Sequence, residues 1–210
     1  MPVPLDPRPA LEAEAAIAFA LHVAAAIERA GSDPLAAAMA RIGTAAGKYW
    51  VCKRAPAFVN EAQECLGGAG YVEESLLPRL YRQAPLNSIW EGSGNIQCLD
   101  VLRALARDPE LGRALWAWLE ASGAIERDGG EALWATLRGV LVEGHAVPEV
   151  HARWLVERLA VAMQAAVLRQ ARSPLDDAFH RSRVAGQHGG AFGTLLDERD
   201  IETVLSRVTG

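Results

Sequence analysis

Apolar residues recur at every third or fourth position along most of this 210-residue chain, and no stretch alternates apolar with polar over six residues between turn signals. That spacing winds into helices. The 39 alanines, with abundant leucine and arginine, reinforce it, because these residues lose little on entering a helix. An all-α fold is expected. Residues 11–30 are the first segment, with Leu11, Ala15, Ala18, Leu21, Ala25 and the neighbouring Ile17 and Val23 on its broad apolar face. Ser32-Asp33-Pro34 then supplies a cap and a first-turn proline for a helix reaching about Leu66, with Pro56 as a kink. A short helix over 78–83 precedes Pro85, and a longer one covers 96–106 with Ile96, Leu99, Val101 and Leu102 on one side. Asp108-Pro109 opens a helix to about Ala121, and another spans 130–142. The longest pattern of the second half runs from Val147 to Gln170, with Val150, Trp154, Leu155, Leu159 and Met163 on its core stripe. Residues 186–193 read as a glycine loop, and a last short helix follows Asp197. The layout divides into two helical blocks, 1–107 and 108–210.

Half of the residues are hydrophobic and the net charge is −5, which suits a globule with a core and lacks the basic excess of a dedicated nucleic-acid binder. Charges interrupt the apolar runs before the ~20 residues a membrane helix needs, so no membrane association is expected. The opening MPVPLDPRP has no leader-like region, and the expected compartment is the cytoplasm. Cys52, Cys65 and Cys98 form no C-x-x-C pair, the five histidines are scattered, and no metal site is expected.

Chemistry concentrates between Leu66 and Leu105. Gly67-Gly68 carries no side chain to hold a ligand away, so a phosphate could meet bare backbone there; a helix C-cap is the simpler reading of the same pair. Gly68-Ala69-Gly70 lacks both the third glycine and the preceding strand of a dinucleotide fingerprint. Glu91 stands between Ile89-Trp90 and Gly92-Ser93-Gly94. An acid just before a helix can simply oppose the helix dipole. Packed against its apolar neighbours, it would instead lose water and become a usable general base.

Taken in order, Leu66-Gly67-Gly68-Ala69-Gly70-Tyr71, Pro78-Arg79-Leu80-Tyr81-Arg82 and Ser88-Ile89-Trp90-Glu91-Gly92-Ser93-Gly94-Asn95 resemble the C-terminal helical domain of flavin-dependent acyl-CoA dehydrogenases. Lys48-Tyr49-Trp50-Val51-Cys52-Lys53-Arg54 and Leu99-Asp100-Val101-Leu102-Arg103 are similar to the AidB-like (alkylation-response) branch. The strong resemblance covers about residues 40–107; the second half is more loosely similar to that branch's helical extension. It implies an up-down helical bundle with a C-terminal helical extension, FAD as cofactor and an acyl-CoA thioester as substrate. It places Glu91 as the base that removes the α-proton, its backbone N–H on the thioester carbonyl, and Trp90 in the wall of the acyl pocket. It places Gly67 and Gly68 on the FAD pyrophosphate of a neighbouring subunit, and Ser93 and Asn95 near the adenosine end. Glu64 departs from the family's usual glutamine, so it is left out of the cofactor set. Family members also carry an N-terminal helical domain and a middle β-domain. The chain is therefore expected to be N-terminally truncated, silent alone, and completed by a separately encoded N-terminal half. Uncovered apolar surface favours a dimer or tetramer. Arg169, Arg172, Arg181 and Arg183 raise a DNA-binding alternative through phosphate neutralisation; a solvated face balanced by Asp176 and Asp177 is the plainer reading. A non-catalytic oligomerisation domain is the third.

Overall fold

The computed structural model describes residues 8–189, 194–195 and 197–209. Among them the chain is all-α, and its one strand-like feature is an isolated bridge between His188 and Leu195. In order come α1 (Arg8–Arg29), α2 (Pro34–Ala38), a π-helical turn (Met39–Gly43), α3 (Thr44–Cys65), α4 (Gly68–Tyr71), α5 (Leu77–Gln83) and a 3-10 turn (Ala84–Ser88). There follow α6 (Gly94–Arg107), α7 (Pro109–Ala121), α8 (Glu131–Leu141), α9 (Ala152–Gln170), α10 (Asp176–Phe179), a second π turn (His180–Val184) and α11 (Glu198–Thr209). Part of the expected glycine loop, residues 190–193, lies outside the described residues.

The expected start signals operate as side-chain caps. Asp33 accepts from the Leu35 N–H at 2.9 Å and Asp108 from the Glu110 N–H at 3.1 Å, each ahead of a first-turn proline. The expected single helix from Pro34 to Leu66 runs without a break as far as Cys65 but carries a π turn, where Gly43 lets it press against Val23 and Met163.

One buried cluster runs from Leu11 to Val204, with α9 at its centre. From Leu155 onward α9 is buried on nearly every side, because Ala160, Ala162, Ala165 and Ala166 let α1, α3 and α6 approach it closely. The stripe expected for it begins too early: Val150 is 85% exposed and Trp154 half-exposed, since the helix bundle does not reach that end of α9. The face of α1 is also rotated from expectation. Leu11, Ala15 and Val23 are in the core as expected, but Ile17 and Leu21 point to solvent and Phe19 is buried instead, seated against Gly47 of α3. The stretch Pro9–Arg29 is, by length and composition, apolar enough to cross a membrane, contrary to the expectation, because the charges of α1 gather near its ends; in this fold 33% of its most apolar window is buried in the bundle.

Carboxylates on α1 tie the last quarter of the chain to the first. Glu12, nearly buried, accepts from Arg54 at 2.9 Å and from Arg183 at 2.8 Å. Glu14 accepts from Ser173 and Arg207.

Candidate functional site

Helix α3 carries the whole arm from Leu66 to Gly94 along one side. Gly67, at φ +57°, turns the chain off the end of α3, a conformation that favours glycine. The short α4 then folds back so closely that Gly70 lies against the Gln63 backbone, and the Gln63 amide donates to the Gly70 carbonyl at 3.1 Å. Gly67 and Gly68 are exposed, and a Cβ on either would meet open space, so their backbone faces solvent unobstructed.

At the far end of the arm, Ile89 and Trp90 both donate to the Leu86 carbonyl. The chain then passes through Glu91 at φ +53° and Gly92 at φ +94° before α6 begins. A glutamate at positive φ is strained and persists only where its surroundings impose it. Here they do. The Lys48 ammonium on α3 donates to the Trp90 carbonyl at 2.7 Å and to the Gly92 carbonyl at 2.5 Å, and the Gln97 amide donates to the Glu91 carbonyl at 3.0 Å. Gly92, at φ +94°, sits where a side chain would be strained, and a Cβ there would also push the Gln97 amide off the Glu91 carbonyl.

The expected burial of Glu91 is not seen. Its side chain is exposed, Ile89 and Trp90 are each more than half exposed, and the two apolar neighbours point outward rather than covering the carboxylate. Ser93 is the N-cap of α6 with no side-chain cap bond, and Asn95 is exposed in the first turn. Trp90, Glu91, Ser93 and Asn95 thus share one loop–helix junction. Gly67 and Gly68 do not join them: Lys48 and Gln63, which anchor the two ends, are 15 positions apart on α3, about 22 Å at 1.5 Å per residue. Most exposed large apolar side chains of the described residues lie on this arm, including Leu66, Tyr71, Leu76, Ile89 and Trp90.

Burial raises the Cys52 thiol, with Lys48 opposing it, and pushes Cys98 up to about 11, so neither is a ready thiolate. No group of three potential metal ligands occurs among the described residues. In the arginine cluster, Arg169 pairs with Asp176, Arg181 with Asp200 and Arg183 with Glu12, while the exposed Arg172 forms no ion pair among the described residues, so one of the four charges is left for phosphate.

Lys48, Gln97 and Gly70 are the site residues that periodicity could not reveal. Each acts on a group distant in sequence or through a backbone contact, and Gly70 was legible only as a motif member. Replacing Gly70 by alanine forces α4 off the Gln63 backbone at a cost of about 1–3 kcal/mol. Thermal denaturation checks it; an unchanged midpoint would show the corner to be loosely packed.

Residues 8–106 match the family model described as acyl-CoA dehydrogenase, C-terminal domain. Over 98 residues, 47% of the chain, the sequence is 56% identical to the putative acyl-CoA dehydrogenase AidB of Escherichia coli K12, covering 18% of that protein. Over 79 residues, 38% of the chain, it is 42% identical to acyl-CoA dehydrogenase family member 11 of Caenorhabditis elegans, covering 13% of it. The chain therefore spans less than a fifth of these relatives. Among solved structures, the Bd2924 apo-form superposes with a TM-score of 0.62 at 28% identity, over 74% of this chain and 30% of that one. The Caenorhabditis elegans ACDH-11 complex with C11-CoA superposes with a TM-score of 0.66 at 24% identity, over 92% of this chain and 33% of that one, a likeness of fold.

Proposed function

We propose, from the premise that residues 8–106 are an acyl-CoA dehydrogenase C-terminal domain, that this chain contributes the base and part of the cofactor site to an FAD-dependent enzyme that desaturates acyl-CoA thioesters. The observation that carries the reading is Glu91, a carboxylate held on a strained loop and presented outward at the head of α6. In this role the carboxylate takes the α-proton, and the Glu91 N–H donates to the thioester carbonyl as negative charge develops there. Trp90 lines the acyl chain. FAD, when bound, supplies the acceptor for the β-hydride.

The donor set fits that cofactor. Gly67 and Gly68 present bare backbone to a pyrophosphate, and the uncapped Ser93 hydroxyl with Asn95 suits the adenosine end. The anchors of these two groups, Gln63 and Lys48, lie about 22 Å apart along α3, which supports two different FAD molecules, one reached by each end of the arm, and hence a dimer or tetramer. An exposed carboxylate and indole need a cover before proton abstraction is efficient. The family's N-terminal helical and β domains are the surfaces suited to provide it. Mixing the purified chain with a protein carrying those domains is expected to yield a flavin-absorbing complex that oxidises an acyl-CoA. A complex that binds flavin but never turns over acyl-CoA would overturn the reading.

A further inference from the structure

We infer that Lys48 is the positioning residue of this site: by holding the Trp90 and Gly92 carbonyls inward, it keeps Glu91 at positive φ and aims the loop's N–H groups at the substrate side. The inference rests on Glu91 as the base. Three consecutive carbonyls, those of Trp90, Glu91 and Gly92, are occupied by Lys48 and Gln97. In a planar trans peptide the N–H lies opposite the C=O, and no peptide bond here is cis. Drawing the Trp90 and Gly92 carbonyls to one ammonium therefore turns the N–H groups of Glu91 and Ser93 together to the other side. None of the N–H groups of Glu91, Gly92 and Ser93 donates to a backbone carbonyl among the described residues. Two N–H groups, those of Glu91 and Ser93, turned together away from the anchoring ammonium form a site for developing negative charge. Charge-assisted bonds from lysine are also the strong kind needed to hold a glutamate in a conformation it resists. Lys48 sits in the second turn of α3, and the π turn and α2 run directly into that helix, so its own backbone is fixed independently of the loop.

Unfolding of the full chain by denaturant, with Lys48→Met, Glu91→Gly and the double variant, reads this coupling without turnover. Glu91→Gly alone is expected to raise the folded-to-unfolded ratio about fivefold, about 1 kcal/mol, by relieving the left-handed conformation. In the Lys48→Met background the loop has already relaxed, and the gain falls below twofold. Lys48→Arg, whose guanidinium can donate to both carbonyls, retains it. The strong amide-to-Hα NOE that marks positive φ at Glu91 is expected to fade in Lys48→Met and return in Lys48→Arg; a lysine with only a stabilising role would not move it. Equal gains in both backgrounds, or an unchanged NOE, overturn the inference even where Glu91→Gln abolishes turnover. Full turnover by Glu91→Gln overturns the base, and with it the reaction Lys48 is held to serve, even where the two variants are coupled.

Discussion

Exchanging Glu91 for glutamine is expected to lower acyl-CoA turnover of the completed, flavin-bound complex by about 10²–10⁴-fold while flavin absorbance stays intact. Glutamine has the shape of glutamate and keeps the backbone N–H, the Lys48 and Gln97 contacts and the positive φ. What it lacks is a basic oxygen. The residues assigned to FAD, Gly67, Gly68, Ser93 and Asn95, are untouched, so spectrum and rate separate cleanly. Steady-state kinetics beside an absorbance scan check the result. Turnover within a few-fold of the native rate would remove Glu91 from proton abstraction and return it to the role of an acid opposing the α6 dipole.

Glu12→Ala is expected to destabilise the fold by about 3 kcal/mol, the low end for removing one partner of a buried ion pair. One carboxylate oxygen of Glu12 serves both Arg54 and Arg183. Without it the two guanidinium groups lose the carboxylate between them, and Arg183, its side chain only 11% exposed, cannot easily turn to water. Arg54 is 32% exposed, which relieves part of the penalty. Glu12→Gln keeps an acceptor and is expected to cost less than the alanine variant. Urea unfolding of the three proteins measures the order. A loss below 1 kcal/mol for Glu12→Ala would mean that packing alone holds the last quarter of the chain to α1.

Helix type and most starts were legible in the sequence because caps and first-turn prolines are local signals, as at Asp33 and Asp108. The direction of each face was less so. Alanine is nearly neutral between core and surface, and α1 has it all round, so the rotation that buries Phe19 and exposes Leu21 is decided by Gly47 on another helix. The segment from Asp176 to Val184 was missed altogether, since four helical residues followed by a π turn show no usable period. At the site, motif residues identified which side chains to watch, but not their exposure. That Glu91 stands in solvent follows from the loop's backbone, which two long-range hydrogen bonds from Lys48 and a local one from Gln97 shape.

The encirclement of α9 bears on how the molecule is made. Its neighbours α1, α3 and α6 leave the ribosome before α9 does, and at 5–20 residues per second the wait from Arg107 to Gln170 lasts roughly 3–13 s. For that interval the early helices have an apolar seam and nothing to fill it. A nascent chain of this design is a natural client for a holding chaperone, and slowing translation beyond codon 107 should lengthen its stay there.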